Sequence, residues 1–427
     1  MHQRYLIKNV QVWNADGVVE NTDLLIESGI VQEMKKGIDD SSIPHYDLTG
    51  KGLIPLGVDL QVHLRVPGQP KKEIAETGLR AALRGGVGAV LTMPNTAPYL
   101  DSVEAIEQGK KELEKWDEKL GVEVLWSACI TRKMLGKELV DVESLSSYVH
   151  AFTDDGLGVE SDDLMEKIFK ATEGTEIPVL QHAEYLGHGA ALAPGPVQKS
   201  LGLKAYPAEA EWKMVERDLR LLEKYPNARY HVLHVSSRET LDLLRDAQAR
   251  GLKASGEVTP HHLFFNSEDI HEDNKSFKMN PPIRSKEDQE ALWEALSDGT
   301  LEYVATDHAP HEATMKKGSF SEVAFGTTGL ETFLRVLFWG VKNKKITPQR
   351  LVEVFSLKPA EFIGISDRFG KIKEGFAFQA IEFDLTFPEK TVIDSDLVSL
   401  SHNSCFLGSS LPHGLGRVFN TKGIWFE

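Results

Sequence analysis

Ile54-Pro55-Leu56-Gly57-Val58-Asp59-Leu60-Gln61-Val62-His63-Leu64-Arg65 begins as an apolar run and ends in alternation, with polar side chains at Asp59, Gln61, His63 and Arg65. Read as a β-strand, the alternation puts these four on one face with neighbours ~7 Å apart. A row of polar groups at the end of a buried strand is costly unless something there satisfies them. Two imidazoles two residues apart would form an opening for a metal-dependent hydrolase. Here His63 supplies one, and Gln61 holds the other slot.

The pattern that starts in this stretch repeats through the middle of the chain. Candidate strands fall at 54–63, 88–93, 122–129, 149–154, 177–182, 229–235, 253–258 and 301–306. Candidate helices follow at 71–85, 103–116, 134–147, 161–173, 206–226, 237–250, 285–297 and 328–342. Eight strands each followed by a helix is the count of an α/β (β/α)8 TIM-like barrel, and the alternation favours parallel pairing. An open doubly wound sheet competes, but no Gly-rich phosphate loop follows the first strand. Residues 1–53 read instead as short strands, at 5–13 and 23–26, around the turn Asn14-Ala15-Asp16-Gly17. The C-terminal end has the same texture, with strands expected at 380–383, 391–392, 398–400 and 423–426. The organisation expected is a small composite β-sandwich domain from residues 1–53 plus 366–427, flanking a barrel over 54–365.

Composition narrows the partners. The 427 residues are 41% hydrophobic and 26% charged, ordinary for a globular chain. Net charge is −16, from 48 basic and 64 acidic side chains, and no basic block is interleaved with aromatics. Nucleic acid is therefore not an expected partner. No apolar run approaches the ~20 residues of a membrane span, and Met1-His2-Gln3-Arg4-Tyr5-Leu6-Ile7-Lys8 lacks the apolar core of a signal peptide. Cys129 and Cys405 are too few for a disulfide framework or a thiolate metal site, so a cytoplasmic location is expected.

Barrel enzymes carry their chemistry at the C-terminal ends of the strands. The expected strands end in Gln61, His63 and Arg65; in Met93-Pro94-Asn95-Thr96; in Asp154-Asp155-Gly156; in Gln181-His182-Ala183-Glu184; in His231-Val232-Leu233-His234; in Glu257-Val258-Thr259-Pro260-His261-His262; and in Thr306-Asp307-His308-Ala309-Pro310-His311. Seven of the 15 histidines, at 63, 182, 234, 261, 262, 308 and 311, thus fall at one rim. A lone histidine after a strand is ordinarily a hydrogen-bonded surface residue, and Asp154-Asp155-Gly156 alone is a turn. Convergence from separate strands is what the ordinary reading does not produce. His231 and His234 face opposite ways on a strand, and His234 is the one expected at the centre. Histidines and aspartates without cysteine make a nitrogen and oxygen shell suited to a divalent ion such as Zn2+. Such a site activates water and polarises a carbonyl, an adjacent aspartate moves the proton, and Arg65 offers a planar fork to a carboxylate. Asn95 and Asn280 add neutral hydrogen bonds. Hydrolysis of an amide-like bond in a small anionic molecule is the chemistry expected.

At these residues the chain resembles the dihydroorotases of the amidohydrolase superfamily. The motifs are Val62-His63-Leu64-Arg65-Val66-Pro67-Gly68, Met93-Pro94-Asn95-Thr96, Asp154-Asp155-Gly156, His234-Val235-Ser236, Val258-Thr259-Pro260-His261-His262, Asn280-Pro281-Pro282-Ile283-Arg284, Ala305-Thr306-Asp307-His308-Ala309-Pro310-His311 and Phe325-Gly326-Thr327-Thr328-Gly329-Leu330-Glu331. They run in the family's order from about residue 50 to 370. No lysine stands near residues 149–155, which points to the branch with aspartate in place of a carboxylated lysine and away from hydantoinases and allantoinases. The resemblance implies one or two Zn2+ ions on His63, Asp155, His182, His234 and Asp307, with Asp155 preferred over Asp154. It implies Asp307 as catalytic base, and substrate contacts from His63, Arg65, Asn95, Asn280, His311, Phe325 and Gly326. The implied reaction is reversible ring opening of dihydroorotate to N-carbamoyl-aspartate by a metal-bound hydroxide, a step of pyrimidine biosynthesis.

Gln61 departs from the family, which has a second histidine ligand there, and a neutral amide is a poorer zinc donor than imidazole. The acidic residue usual in the C-terminal module is also missing from Gly375-Phe376-Ala377-Phe378-Gln379-Ala380. Two other readings follow: a non-catalytic homologue serving as a scaffold partner of aspartate transcarbamoylase, or a relative acting on another cyclic amide. A homo-oligomer is also compatible with the family. The retention of Arg65, Asn95, Asn280, Asp307 and His311 together favours the enzyme. The loop at 312–324 carries Lys316-Lys317, a pair that is ordinarily solvated but that beside the rim would close over an anion.

Overall fold

The apolar blocks of the middle region form eight strands: Gly57–Val62, Val87–Thr92, Glu123–Ala128, Ala151–Thr153, Val179–Gln181, Tyr230–Val232, Ala254–Val258 and Tyr303–Val304. They are hydrogen-bonded in chain order, every pair parallel. The structure, a computed structural model, describes residues 4–185 and 190–426, so residues 1–3 and 427 of the expected end domain lie outside the described residues. Val62 pairs in parallel with His308, and the His63 N–H donates to the His308 carbonyl at 2.9 Å, which joins the first strand to the chain leaving the last. Asp59 staples the same seam. Its Oδ1 accepts from the backbone of Thr306 at 3.0 Å and of Gln61 at 3.2 Å, and its Oδ2 accepts from the Thr306 hydroxyl at 2.6 Å. The fold is the (β/α)8 barrel that the alternation predicts.

Helices Ala75–Arg84, Val103–Leu120, Asp162–Thr172, Glu209–Leu222, Arg238–Ala249, Lys286–Asp298 and Phe333–Lys342 accompany the strands. Ser102, Ser161, Ser237 and Ser285 cap four of them, each accepting an otherwise orphaned N–H from the first turn. The helix expected over 134–147 is instead a 3-10 turn, Arg132–Met134, and a single α turn, Val142–Leu145. Gly136, at φ +63°, turns the chain back, and the backbones of Arg132 and Val140 bond to Glu138 and Ile130 respectively. That local pairing takes the groups a helix would have used. No helix among the described residues is long and apolar enough to cross a membrane.

The two ends of the chain meet in a second sheet of eight strands. Ala380–Asp384 pairs antiparallel with Lys51–Pro55, which runs parallel beside Arg4–Asn14. The hairpin of Arg4–Asn14 with Gly17–Glu27 extends one side, and Leu415–Asn420 with Gly423–Trp425 the other. Two expectations need correction. Residues 398–400 are not a strand: Val398 and Ser399 donate to Glu331 at 2.8 and 2.9 Å, and Leu400 donates to Glu73 at 3.1 Å. Carboxylates there replace a ladder. Leu415–Asn420, by contrast, is a strand whose half-buried start, Leu415-Gly416-Arg417, shows no clear alternation. The segment between belongs to the barrel side, where Arg335 donates to the Pro412 carbonyl at 2.8 Å.

Asp59 is fully buried, and burial lifts its carboxyl to about 6 although the Thr306 and Gln61 donors pull the other way. Replacing Asp59 with Ala strands the Thr306 and Gln61 N–H groups and the Thr306 hydroxyl inside the barrel. We expect Asp59→Ala to cost on the order of 3 kcal/mol, since each unsatisfied buried group costs ~1–3. Asp59→Asn, which keeps an acceptor, should cost clearly less. Equal urea midpoints for the two variants would show that the staple does not hold the seam.

Candidate active site

At the C-terminal ends of the strands the barrel opens into a cavity of about 410 Å3. His63, Arg65, Asn95, Asp155, His182, His234, Asn280, Asp307, His311, Phe325 and Gly326 all line it. Three of them, Arg65, His234 and Asp307, have left-handed backbones with φ of 60°, 37° and 46°. Non-glycine residues pay strain in that region, and it is maintained only where the surroundings dictate it. For His234 the surroundings are Glu211, which accepts from the backbones of Ser236 and Ser237 at 3.2 and 3.1 Å. For Asp307 they are the Asp59–Thr306 staple one residue earlier.

Asp155 is the pivot. Its Oδ1 lies 3.2 Å from His182 Nδ1 and 3.7 Å from His234 Nε2; its Oδ2 lies 3.1 Å from His63 Nε2 without hydrogen-bond alignment. His63 Nε2 is also 3.1 Å from Asp307 Oδ1. Two groups of donors result, Asp155 with His182 and His234, and Asp155 with His63 and Asp307. Within each, the donor atoms lie within 4.8 Å of one another and the residues are buried. His182 Nδ1 and His234 Nε2 stand 2.8 Å apart, two ring nitrogens aimed at one place. Converging nitrogen and carboxylate donors of this kind fit a divalent cation.

The electrostatics agree. Burial alone would raise the Asp155 carboxyl, but the imidazoles of His182, His234 and His63 beside it hold it well below the usual range. Burial would lower His182, yet Asp155 and Glu184 lift it to about 10. The carboxylates thus recruit positive charge to this point. Burial brings Arg65 down to about 10, which leaves it a cation. Burial and the neighbouring Arg65 and Lys316 push His311 down to about 2, so that ring stays neutral.

Around the donors sit residues that orient them. Asn95 Oδ1 is 2.8 Å from His63 Nδ1 and accepts from Arg65 Nη1 at 3.4 Å, while its amide donates to the Asp155 carbonyl at 3.3 Å. Asn95 therefore directs His63 Nε2 toward Asp155 and Asp307. Asn403, from the C-terminal segment, accepts from the His311 backbone at 3.0 Å and donates to the Ala309 and Gly326 carbonyls at 3.0 and 3.2 Å. Gly326, at φ +119°, has no room for a side chain: a Cβ would come within 2.7 Å of the Ala309 methyl. Gln61 is fully buried on the strand below His63, and both ends of its amide lack a hydrogen-bond partner among the described residues.

The structure sorts the residues at the strand ends. Asp154 points away from the cavity and accepts from the backbones of Ile130 and Thr131 at 2.8 and 3.0 Å, so Asp155 alone reaches the centre. His231 lies between Ser255 and Glu257, outside the cavity as its strand position predicts. His261, His262 and His308 are not at the rim surface. His262 bonds Thr259 and Pro281 beneath the loop, and His308 Nδ1 accepts the Gly329 N–H at 3.2 Å. Sequence position places a residue at a strand end but does not say which way its ring turns. Lys316 does not line the cavity either. It turns inward to the carbonyls of Ala324, Lys278 and Lys275 at 2.7, 3.3 and 3.4 Å, and so ties down its own loop. Lys72, Gln69 and Tyr99 line the cavity unanticipated. Lys72 lies seven residues beyond Arg65 in an irregular segment, where no periodicity marks it.

Comparisons with known proteins follow the same lines. The sequence profile of the amidohydrolase family matches residues 52–408. A dihydroorotase of Listeria innocua is 38% identical over 410 residues, covering 95% of both chains. A dihydroorotase of Staphylococcus epidermidis is 38% identical over 430 residues, covering 99% of both. Among solved structures, an L-hydantoinase (dihydropyrimidinase) from Arthrobacter aurescens superposes with a TM-score of 0.87 at 24% identity, over 100% of this chain and 96% of that one. A D-hydantoinase (dihydropyrimidinase) from Thermus sp. gives 0.83 at 21% identity, over 98% and 94%. At such identities the two structures speak for the barrel and the flanking sheet alone.

The shared carboxylate makes a prediction. Metal analysis after dialysis against a divalent cation should show that Asp155→Ala loses all bound metal. His182→Ala and Asp307→Ala should each lose only the fraction belonging to one donor group. Wild-type metal content in Asp155→Ala would show that the two groups do not meet at this residue.

Proposed function

From the premise that this chain belongs to the amidohydrolase family, we propose that it is a dihydroorotase, opening and closing the ring of dihydroorotate. The product of opening is N-carbamoyl-aspartate. The observation that carries this reading is one cavity holding a buried carboxylate, Asp307, next to the donor groups built on Asp155, with the cations Arg65 and Lys72 beside them. End-to-end identity with proteins named dihydroorotase supports the choice of ring.

In this reading Arg65 pairs its planar fork with the substrate carboxylate, and Lys72 adds a second positive charge. Burial of Arg65 strengthens that pairing, because little water competes. Asp307 takes a proton from the attacking water and returns it to the ring nitrogen as the C–N bond breaks. Closure runs the same transfers backward. Zinc is the proposed ion, held by Asp155, His182 and His234, with a second on His63, Asp155 and Asp307; when bound, it polarises the scissile carbonyl and makes water acidic enough to attack near pH ~7. The Gln61 amide is buried without a hydrogen-bond partner among the described residues, and in this reading its oxygen would serve the second ion as a weaker donor than imidazole. A scaffold without catalysis has no use for a buried Asp307 and a buried Arg65 lining one cavity, which is why the enzyme reading is preferred.

Two tests follow. Asp307→Asn should lower kcat by about 10^2–10^4, the usual contribution of a positioned acid–base group, with an unchanged circular-dichroism spectrum. Retained turnover would remove Asp307 from the proton-transfer role. Gln61→His should raise zinc content and turnover of dihydroorotate, read by metal analysis and a ring-opening assay. No gain in either would mean that the glutamine does not limit the site.

A further inference from the structure

One buried carboxylate outside the chemistry above touches two cavity residues at once. Glu184 follows His182 by two residues at the end of the fifth barrel strand. Its Oε2 lies 3.3 Å from His182 Nε2 and accepts a hydrogen bond from Asn280 Nδ2. The Tyr206 hydroxyl hydrogen-bonds the same carboxylate. Asn280 Nδ2 is itself 3.1 Å from His182 Nε2, so the two nitrogens converge on one oxygen.

This contact decides which way the Asn280 amide faces. Exchanging its nitrogen and oxygen would set a carbonyl oxygen against a carboxylate oxygen, two acceptors with no proton between them. Oδ1 is therefore the end left for the cavity that Asn280 lines, and it is buried with no hydrogen-bond partner among the described residues. The same carboxylate settles the proton of His182. With Nδ1 turned to Asp155 and His234, Nδ1 is the nitrogen that would exchange its proton for a bound cation, while Nε2 keeps its hydrogen for Glu184.

We infer that Glu184 is a positioning residue that sets the polarity of the cavity, fixing Asn280 as an acceptor for a substrate N–H and holding His182 with Nδ1 toward the donor group of Asp155 and His234. The ligand class that follows is a cyclic amide or imide presenting an N–H at that edge, to the exclusion of a ring oxygen. The inference rests on the dihydroorotate reading for its choice of organic probe, and on nothing beyond the donor groups for its metal arm.

The experiment has two arms on the full-length protein. In the first, zinc affinity is measured by competition with a chromophoric chelator. Glu184→Ala should bind zinc about 10–100-fold more weakly, the usual effect of losing a carboxylate behind a ligating imidazole, and Glu184→Gln should fall between. The melting temperatures of the zinc-free proteins, compared alongside, separate this from general destabilisation. Wild-type zinc affinity in Glu184→Ala overturns the assignment for His182. In the second arm, calorimetry compares orotate with its two oxazine-dione analogues, each with one ring N–H replaced by oxygen. Wild type should bind one analogue about tenfold or more weakly than orotate. In Glu184→Ala that ratio should shrink, because the Asn280 amide can then turn and donate; a merely structural defect would weaken all three ligands alike. An unchanged ratio in Glu184→Ala, or no discrimination in wild type, overturns the polarity assignment. Failure of wild type to bind orotate at all overturns the dihydroorotate reading instead, and the zinc arm still decides the part played by Glu184.

Discussion

A fully buried carboxylate facing three imidazoles is the constraint on which this site depends. Asp155 leaves the fourth barrel strand, and His63, His182 and His234 reach it from the first, fifth and sixth. Isolated in a protein interior, such a charge would be strongly disfavoured, so the strands that deliver its partners must arrive in register. The register is supplied from below by the parallel ladder and from the side by the Asp59–Thr306 staple. What the barrel provides is therefore less a pocket than a way to hold three chain-distant imidazoles 3.1 to 3.7 Å from one carboxylate.

The supports around this centre repeat one device. A carboxylate or amide collects backbone N–H groups that no ladder satisfies, and in doing so fixes an irregular turn. Glu211 does this after His234, Asp154 holds the chain at Ile130 and Thr131, and Glu73 and Glu331 anchor residues 398–400. Left-handed backbones at His234 and Asp307 persist because such anchors flank them. This also explains why so many acidic residues in an acidic chain are buried: they stand in for missing hydrogen-bond partners.

How much of this was legible in the sequence follows from the same physics. The eight strands were readable because a strand covered on both faces is a nearly continuous apolar run. The polar strand ends were readable because a barrel gives them one place to go. The third helix was not, since Gly136 and a local backbone pairing override a helical pattern that looks adequate by residue type. Ring direction was equally hidden. His308 and Asp307 are adjacent, yet one accepts from Gly329 and the other faces the cavity. Glu184 stood in plain view beside His182, but only the distance to Asn280 gives it a role.

Asn403 carries a consequence of another kind. It lies near the far end of the chain, yet its side chain closes the rim by bridging His311, Ala309 and Gly326. During synthesis the ribosome releases His63 some 340 residues before Asn403. A nascent barrel can therefore gather its strands early while its mouth stays unfinished, and competence arrives only as the tail swings back across it.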